Sequence, residues 1–234
     1  MNTSSVAKAA NGPTLPRAWD EWLDLRVSDR PPDLQSLYQR GQDVLPERRN
    51  VFRAFELVAP TDVRVVLLGQ DPYDTSGLAD GLAFSQQGEV DKRSALHRIF
   101  LNLERDPDIQ FARPATGNLT EWATGGVLLL NTALTVFSEK PKSHLRLWKP
   151  FIETVIRRLA ASGSPIAFVV LGEDARKIAM PLLRQVPREA IIRAAHPVAS
   201  NTGQRPFKGA YVFSEANQFL GDRVINWSAI SPST

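Results

Sequence analysis

The sequence predicts an α/β protein with a central parallel sheet and helices on both of its faces. Four short runs are apolar along nearly their whole length, as strands buried on both faces are. Segments with helical periodicity separate these runs, and strand–helix alternation is typical of parallel sheets. The length of 234 residues suits one domain.

Residues 1–17 are mostly small and polar. This composition predicts a disordered N-terminal arm. We expect a single domain over residues 18–228 and a flexible tail over residues 229–234.

Two helical segments precede the first strand. One runs from Trp19 towards the Pro31-Pro32 pair, which ends or interrupts it. The other covers residues 47–58 and is amphipathic. Their apolar faces are predicted to consist of Trp19, Trp22, Leu23 and Leu25 in the first segment and of Val51, Phe52, Phe55 and Val58 in the second.

The strands and the helices between them follow in order along the chain. Predicted strands cover residues 63–68, 127–130, 166–171 and 190–194. Predicted helices cover residues 94–104, 149–161 and 174–183, the first with Ser94 as its N-cap.

Composition excludes several classes of site. Because the chain has no cysteine, it cannot form disulfides, iron–sulfur clusters or thiolate zinc sites. Phosphate loops of the GxxxxGK[ST] type, GxGxxG, HExxH and GxSxG are all absent. We therefore expect chemistry without a cofactor and without a metal.

The charge balance permits nucleic-acid binding without requiring it. The chain has 28 Lys and Arg against 25 Asp and Glu, and a pI of about 9.4. No apolar run reaches the roughly 18 residues of a membrane span, and the N-terminus has no apolar signal-peptide core. We expect a cytoplasmic protein that does not bind membranes.

Polar side chains lie just beyond the end of each predicted strand. The first strand is followed by Gln70 and Asp71, the second by Asn131, the third by Glu173 and the fourth by His196, with at most two intervening residues. In open α/β sheets, sites lie at the carboxyl ends of the strands. We therefore expect an acid, an amide and an imidazole to converge on one rim.

Each of these residues also has a purely structural interpretation. Asp71 suits a base or charge stabiliser, or a turn-capping residue before Pro72. Asn131 could bind the edge of a base, or could cap a helix. His196 could polarise a substrate, or could serve as a structural hydrogen bonder.

Several motifs occur in order along the chain: GQDPY at 69–73, GLAFS at 81–85, GVLLLNTALTV at 126–136, His196-Pro197, ANQFL at 216–220 and Asn226-Trp227. These motifs resemble those of the uracil-DNA glycosylase family. The resemblance spans about residues 19–227 and implies an α/β/α sandwich with a four-stranded parallel sheet.

The resemblance implies two catalytic residues. Asp71 would stabilise the positive charge on the sugar and orient or deprotonate the attacking water. His196 would donate, as a neutral ring, to O2 of the departing uracil.

It also implies four residues that bind the flipped base. Phe84 would stack on the uracil, and Asn131 would pair with its O4 and N3–H. Tyr73 would exclude the methyl group of thymine, and Gln70 would position the water and bind near the base.

The implied DNA contacts lie in loops that depart from the family pattern. Asp74 stands where the family has His, Glu173 where it has Ser, and the loop at 86–94 lacks proline. The finger loop, residues 196–207, is one residue longer and lacks the family's wedge leucine, whose place Gln204 or Arg205 could fill. The predicted DNA-contacting residues are Ser85, Ser94, Pro197, Ser200, Asn201, Gln204 and Arg205.

The implied partners are uracil-containing DNA, single- or double-stranded, the abasic-site product and free uracil. We expect a monomer that is nucleoid-associated when bound to DNA. One alternative is a uracil- or abasic-site-binding protein with weak or no catalysis. Two others are a glycosylase for another base and a nucleotide-binding α/β protein.

Overall fold

A computed structural model describes residues 12–39, 43–199 and 205–230 of the chain. The strands in these residues are β1 (Val44–Leu45), β2 (Val65–Gly69), β3 (Val127–Asn131), β4 (Val136–Phe137), β5 (Ala167–Leu171) and β6 (Ile191–Ala194). The helices are α1 (Arg17–Leu23), α2 (Leu34–Gln39), α3 (Arg53–Leu57), α4 (Ala95–Leu103), α5 (Thr120–Thr124), α6 (Leu145–Ala160), α7 (Glu173–Ala179) and α8 (Val212–Leu220).

The central sheet has the strand order β3-β2-β5-β6 and is parallel throughout. Every residue of β2, β3 and β5 is buried. Because successive side chains of a strand point to opposite faces, both faces of these strands must be covered. The predicted four-stranded parallel sheet of an α/β fold is confirmed.

The sheet register positions the site. Gly69, the last residue of β2, lies opposite Asn131, the last residue of β3. On the other side of the sheet, Leu171 of β5 pairs with Ala194 of β6. The carboxyl ends of all four strands therefore lie along one edge.

Helix α4 agrees closely with its prediction. Ser94 is the N-cap, and its hydroxyl oxygen accepts a hydrogen bond from the His97 amide at 3.1 Å. The cap satisfies one of the amides that a helix N-terminus leaves unpaired.

Other predicted helix boundaries are wrong. Helix α1 ends at Leu23, before the proline pair, because Asp24 adopts a left-handed conformation with φ of 48°. The segment at 47–58 is split into a 3₁₀ turn (Arg48–Asn50) and α3, although its four apolar residues are all buried as predicted.

The two later helices also differ in length. Helix α6 begins four residues earlier than predicted and contains Pro150. Its first turns persist because Trp148 is fully buried there, and tertiary packing outweighs the unfavourable proline. Helix α7 ends at Ala179 instead of residue 183.

Five elements have no counterpart in the sequence prediction: α2, α5, α8 and the two strands of an antiparallel pair, β1 and β4. The pair has only two residues in each strand, too few for a periodic pattern to be recognised.

The predicted terminal segments are only partly described. Residues 1–11 and 231–234 lie outside the described residues. Leu15 and Ile230 pack against the hydrophobic core, and α1 begins at Arg17. Ordered structure therefore extends a few residues into both predicted segments.

Candidate active site

The carboxyl ends of the strands border a cavity of about 490 Å³. The residues predicted for catalysis and base binding all line it: Gln70, Asp71, Tyr73, Phe84, Asn131 and His196. The convergence expected from the strand ends is therefore confirmed, while the role of each residue remains a prediction.

A close backbone approach positions Asn131. A Cβ atom on Gly69 would lie 2.4 Å from the Asn131 Oδ1 atom, closer than such atoms can approach. Only glycine therefore fits beside this amide. The Thr132 hydroxyl donates to the Gln70 carbonyl at 2.6 Å, and the Thr132 amide donates to the Gly69 carbonyl at 3.1 Å. These bonds hold the ends of β2 and β3 together.

Both carboxylate oxygens of Asp71 accept hydrogen bonds. The side-chain amide of Gln70 donates to Oδ1 at 2.7 Å, and the backbone amide of Lys142 donates to Oδ2 at 2.5 Å. Lys142 has a left-handed conformation with φ of 67°. The loop before α6 thus fixes the orientation of the carboxylate.

Burial is the main influence on the pKa of Asp71. Burial raises the pKa of this carboxyl above its usual 3.8, and the nearby Asp74 raises it further. The two hydrogen bonds and the charge of Lys142 oppose the increase. A partly desolvated carboxylate that keeps free lone pairs can accept a proton from water.

His196 lies at the same cavity, against the chain that follows β5. Gly172, with φ of 93°, allows this, because a Cβ there would lie 2.9 Å from the Cβ of His196. The Val198 amide donates to His196 Nδ1 at 3.4 Å. This contact favours the tautomer with its proton on Nε2.

Burial also keeps His196 neutral. It lowers the pKa of the imidazole below the usual 6.5; the charge of Asp174 opposes this decrease, and the charge of Lys142 adds to it. The Lys142 ammonium itself forms a salt bridge with Asp174 at 2.7 Å. His196 is therefore an uncharged hydrogen-bond donor at neutral pH.

Phe84 forms a buried wall of the cavity in a constrained backbone conformation. Its φ is 65°, unusual for a residue with a side chain. Asp80, 1% exposed, supports this segment by accepting bonds from the Ser85 hydroxyl at 2.6 Å and the Leu82 amide at 3.2 Å. Arg53 completes the network through a 2.9 Å salt bridge to Asp80.

Tyr73 packs beside Phe84. Its hydroxyl donates to the Phe84 carbonyl at 3.3 Å, and burial raises its pKa to about 12. The phenol is therefore neutral, and its ring occupies space inside the cavity.

Comparison with known proteins assigns this arrangement to a family. The profile of the family described as "Uracil DNA glycosylase superfamily" matches residues 55–221. The chain belongs to this superfamily.

Sequence relatives and a solved structure agree with the assignment. The chain is 41% identical to uracil-DNA glycosylase 1 of Streptomyces avermitilis over 192 residues, which cover 80% of this chain and 82% of that protein. It is 40% identical to uracil-DNA glycosylase of Thermobifida fusca over 218 residues, which cover 89% and 92%. The crystal structure of mimivirus uracil-DNA glycosylase superposes with a TM-score of 0.72 at 25% identity, and the match covers 83% of this chain and 78% of that one.

In this member of the superfamily, two predicted DNA contacts are occupied within the fold. Ser85 is fully buried, and its hydroxyl is engaged by Asp80 and by the Leu119 amide. Arg205 directs its guanidinium to Glu215 of α8, with one bond of 2.8 Å and a second, shorter one. Within the protein, Ser85 therefore supports the fold and Arg205 is paired with a carboxylate, and the DNA contact of each residue stays a prediction.

The remaining predicted DNA contacts stay predictions, and their positions differ. Ser94 caps α4 at its N-terminus and is partly exposed, whereas Pro197 is buried. Ser200, Asn201 and Gln204 lie outside the described residues. Glu173 forms hydrogen bonds with Arg176 at 2.7 and 2.9 Å, so Arg176 neutralises the acid that replaces the family's serine.

Sequence reasoning missed Lys142, Asp174 and the Arg53–Asp80 pair. The left-handed backbone conformation of Lys142 and a contact between distant loops produce no local sequence pattern. Asp80 offered the clearest signal, because it is an acid directly before the GLAFS motif.

Two absences hold for residues 12–39, 43–199 and 205–230. None of their helices is long and apolar enough to span a membrane. Nor do these residues contain a group of three or more acidic or histidine side chains placed to hold a metal ion.

Proposed function

We propose that the protein hydrolyses the N-glycosidic bond of deoxyuridine in DNA, releasing uracil and leaving an abasic site. This proposal rests on two observations. The chain belongs to the uracil DNA glycosylase superfamily, and one cavity is lined by Asp71, Asn131, His196 and Phe84. Hydrolysis of this bond in DNA requires the base to leave the helical stack and enter such a cavity.

The cavity supplies separate groups for binding and for discrimination. The face of Phe84 suits stacking against a flat base. The side-chain amide of Asn131 has one donor and one acceptor, which match O4 and N3–H of uracil. The Tyr73 ring occupies the space where a methyl group on C5 would project.

Two residues, His196 and Asp71, assist the cleavage of the bond. As the C1′–N1 bond breaks, its electron pair moves to the uracil, and the Nε2–H of His196 stabilises the charge at O2. Water bonds to C1′ as Asp71 accepts its proton, and the uracil anion takes a proton from solvent. A preorganised donor of this kind contributes about 3–4 kcal/mol to transition-state stabilisation.

The partners follow from the same reaction. We expect the protein to act as a monomer on single- and double-stranded DNA, to bind the abasic product and free uracil, and to work in the cytoplasm on nucleoid DNA. The altered finger loop supports slower cleavage of duplex than of single-stranded DNA, since a single strand needs no wedge to release the base.

The test is cleavage of a labelled oligonucleotide with one deoxyuridine, in both strand forms. Asp71→Asn should lower kcat by about 10²–10⁴-fold. Asp62→Asn is the control, because it removes an exposed carboxylate that precedes β2 at the opposite edge of the sheet. Thymine, cytosine and hypoxanthine oligonucleotides should remain intact.

Two results would contradict the proposal. Equal cleavage by Asp71→Asn and wild type would remove Asp71 from the reaction. Binding of uracil or abasic DNA without any cleavage by the wild type would instead identify a binding protein on this fold.

A further inference from the structure

A second cavity, of about 340 Å³, adjoins the candidate active site, and Val198 of the finger loop lines both. Its walls come from α4 and the residues flanking that helix, from residues 197–199 of the finger loop and from the turn at 207–209. We name it the basic cavity, because none of the described residues that line it is acidic and four are cationic: Arg93, Arg98, Arg105 and Lys208.

Three of these cations are not neutralised by the protein. The described residues include every Asp and Glu of the chain, and no salt bridge among them involves Arg98, Arg105 or Lys208. Arg93 approaches only the exposed Asp91, at 3.6 Å. By contrast, Arg113 and Arg205 are paired with carboxylates at the surface.

The cavity is held together by a buried side chain. Asn102 of α4 is 4% exposed, and its amide nitrogen donates to the carbonyls of Phe207 and Ala210, both at 3.1 Å. These bonds fix the turn that carries Lys208 against the helix that carries Arg98. The positive groups are therefore mounted on a preformed frame.

This chemistry suits a phosphodiester. Guanidinium groups bind phosphate oxygens through paired N–H donors, and an ammonium adds a point charge. Because Val198 separates the basic cavity from the candidate active site, the backbone of a strand whose uracil occupies one cavity passes beside the other. Phosphates recur every 3.4 Å of helix axis in each strand.

We propose that the basic cavity binds a phosphodiester of the DNA strand flanking the uracil, through Arg98, Arg105 and Lys208. The inference rests on the proposed function, since that function supplies the strand. These contacts strengthen DNA binding at a position outside the groups that recognise the base, and they carry no sequence information.

The test compares two triple variants with equal loss of charge. The first is Arg98→Gln/Arg105→Gln/Lys208→Gln. The control is Arg157→Gln/Arg184→Gln/Arg188→Gln, whose exposed side chains lie in the last turn of α6 and in the segment after α7, at the opposite edge of the sheet. Equal melting temperatures would show that both variants fold.

The expected readout is the salt dependence of kcat/KM on a long oligonucleotide. Each lost phosphate contact lowers the slope of log(kcat/KM) against log[salt] by about 0.7–0.9. We expect the cavity variant to lose one to two such contacts and about 10-fold or more in kcat/KM at low salt, through KM. On an oligonucleotide whose phosphodiesters flanking the deoxyuridine are replaced by uncharged methylphosphonates, the difference between the two variants should shrink.

Equal slopes and equal kcat/KM for the two triple variants on the long oligonucleotide would overturn the proposal. So would an equal loss on the methylphosphonate oligonucleotide, because the loss would then be independent of the phosphate charges beside the uracil. Fluorescence anisotropy with an intact oligonucleotide measures the same salt slopes without cleavage. Failure of the basic cavity is therefore distinguishable from failure of the proposed hydrolysis.

Discussion

The interior of the candidate active site and its DNA-facing rim are built differently. In the interior, Asp71, Asn131 and Phe84 are each held by neighbouring backbone or by hydrogen bonds within the protein. At the rim, Arg98, Arg105 and Lys208 remain charged and exposed. The interior is preorganised before substrate arrives, whereas the rim gains its contacts when DNA binds. Interior substitutions should therefore change kcat or folding, and rim substitutions KM and salt dependence.

The largest expected effect in the interior, after that of Asp71, belongs to His196. His196→Ala should lower kcat by about 10²–10³-fold, because it removes one donor to the departing base. Single-turnover cleavage measures the loss. A raised KM with an unchanged kcat would contradict the distinction between the interior of the site and its rim.

The pH profile sharpens the same prediction. Wild-type kcat should fall as the pH decreases, because protonation removes the charge of Asp71 and adds one to His196. Since burial lowers the pKa of His196 below 6.5, the ring stays neutral at pH 7. In His196→Ala, the acid limb of the pH profile, where kcat falls, should depend on a single protonation, that of Asp71. An unchanged limb would show that His196 does not titrate in the reaction.

Arg53→Ala tests whether the support behind Phe84 is structural. It would leave Asp80 charged and 1% exposed without its cation. We expect the free energy of unfolding to fall by about 3–5 kcal/mol. Arg49→Ala is the control, because Arg49 forms an exposed pair with Glu47 and should change stability by less than about 1 kcal/mol. Denaturant unfolding that gives similar values for both variants would contradict a buried supporting network.

Tyr73 separates the role of a ring from that of its hydroxyl. Tyr73→Phe loses one 3.3 Å hydrogen bond, which is worth about 1 kcal/mol, and should still reject thymine. Tyr73→Ala opens the space beside the base and should allow slow excision of thymine. Competition between uracil and thymine oligonucleotides measures the discrimination. Equal selectivity in Tyr73→Ala would assign the exclusion of thymine to another group.

The smallest effect concerns stability and has the opposite sign. The folded pKa of Asp71 is raised, so the folded protein binds this proton more tightly than the unfolded chain does. Ionised Asp71 therefore lowers stability at pH 7, and stability increases as the pH falls through the folded pKa. Asp71→Asn should melt at a higher temperature than wild type at pH 7, and calorimetry at acid pH should show the difference shrink. A lower melting temperature at pH 7 would mean that the two hydrogen bonds outweigh burial.

The sequence by itself determined the sheet and the inner site. The four strands are nearly continuous apolar runs, a pattern that is visible without knowledge of the neighbouring elements. Asp71 just after β2, Asn131 at the end of β3 and His196 just after β6 reach one edge because the strands are parallel. Gly69 of the GQDPY motif and Gly172 after β5 are glycines for a physical reason, since a side chain at either position would collide with Asn131 or His196.

Only the tertiary structure decided the groups that act across long distances in the chain. Lys142 caps Asp71 from a loop 71 residues away, and Arg53 reaches Asp80 through the core. The basic cavity joins α4 to a turn 105 residues later through Asn102. The sequence motif predicts Ser85 as a DNA contact, and the tertiary structure shows that this serine is buried and that its hydroxyl donates to Asp80. Such contacts depend on which surfaces meet, and local patterns carry no record of the partner.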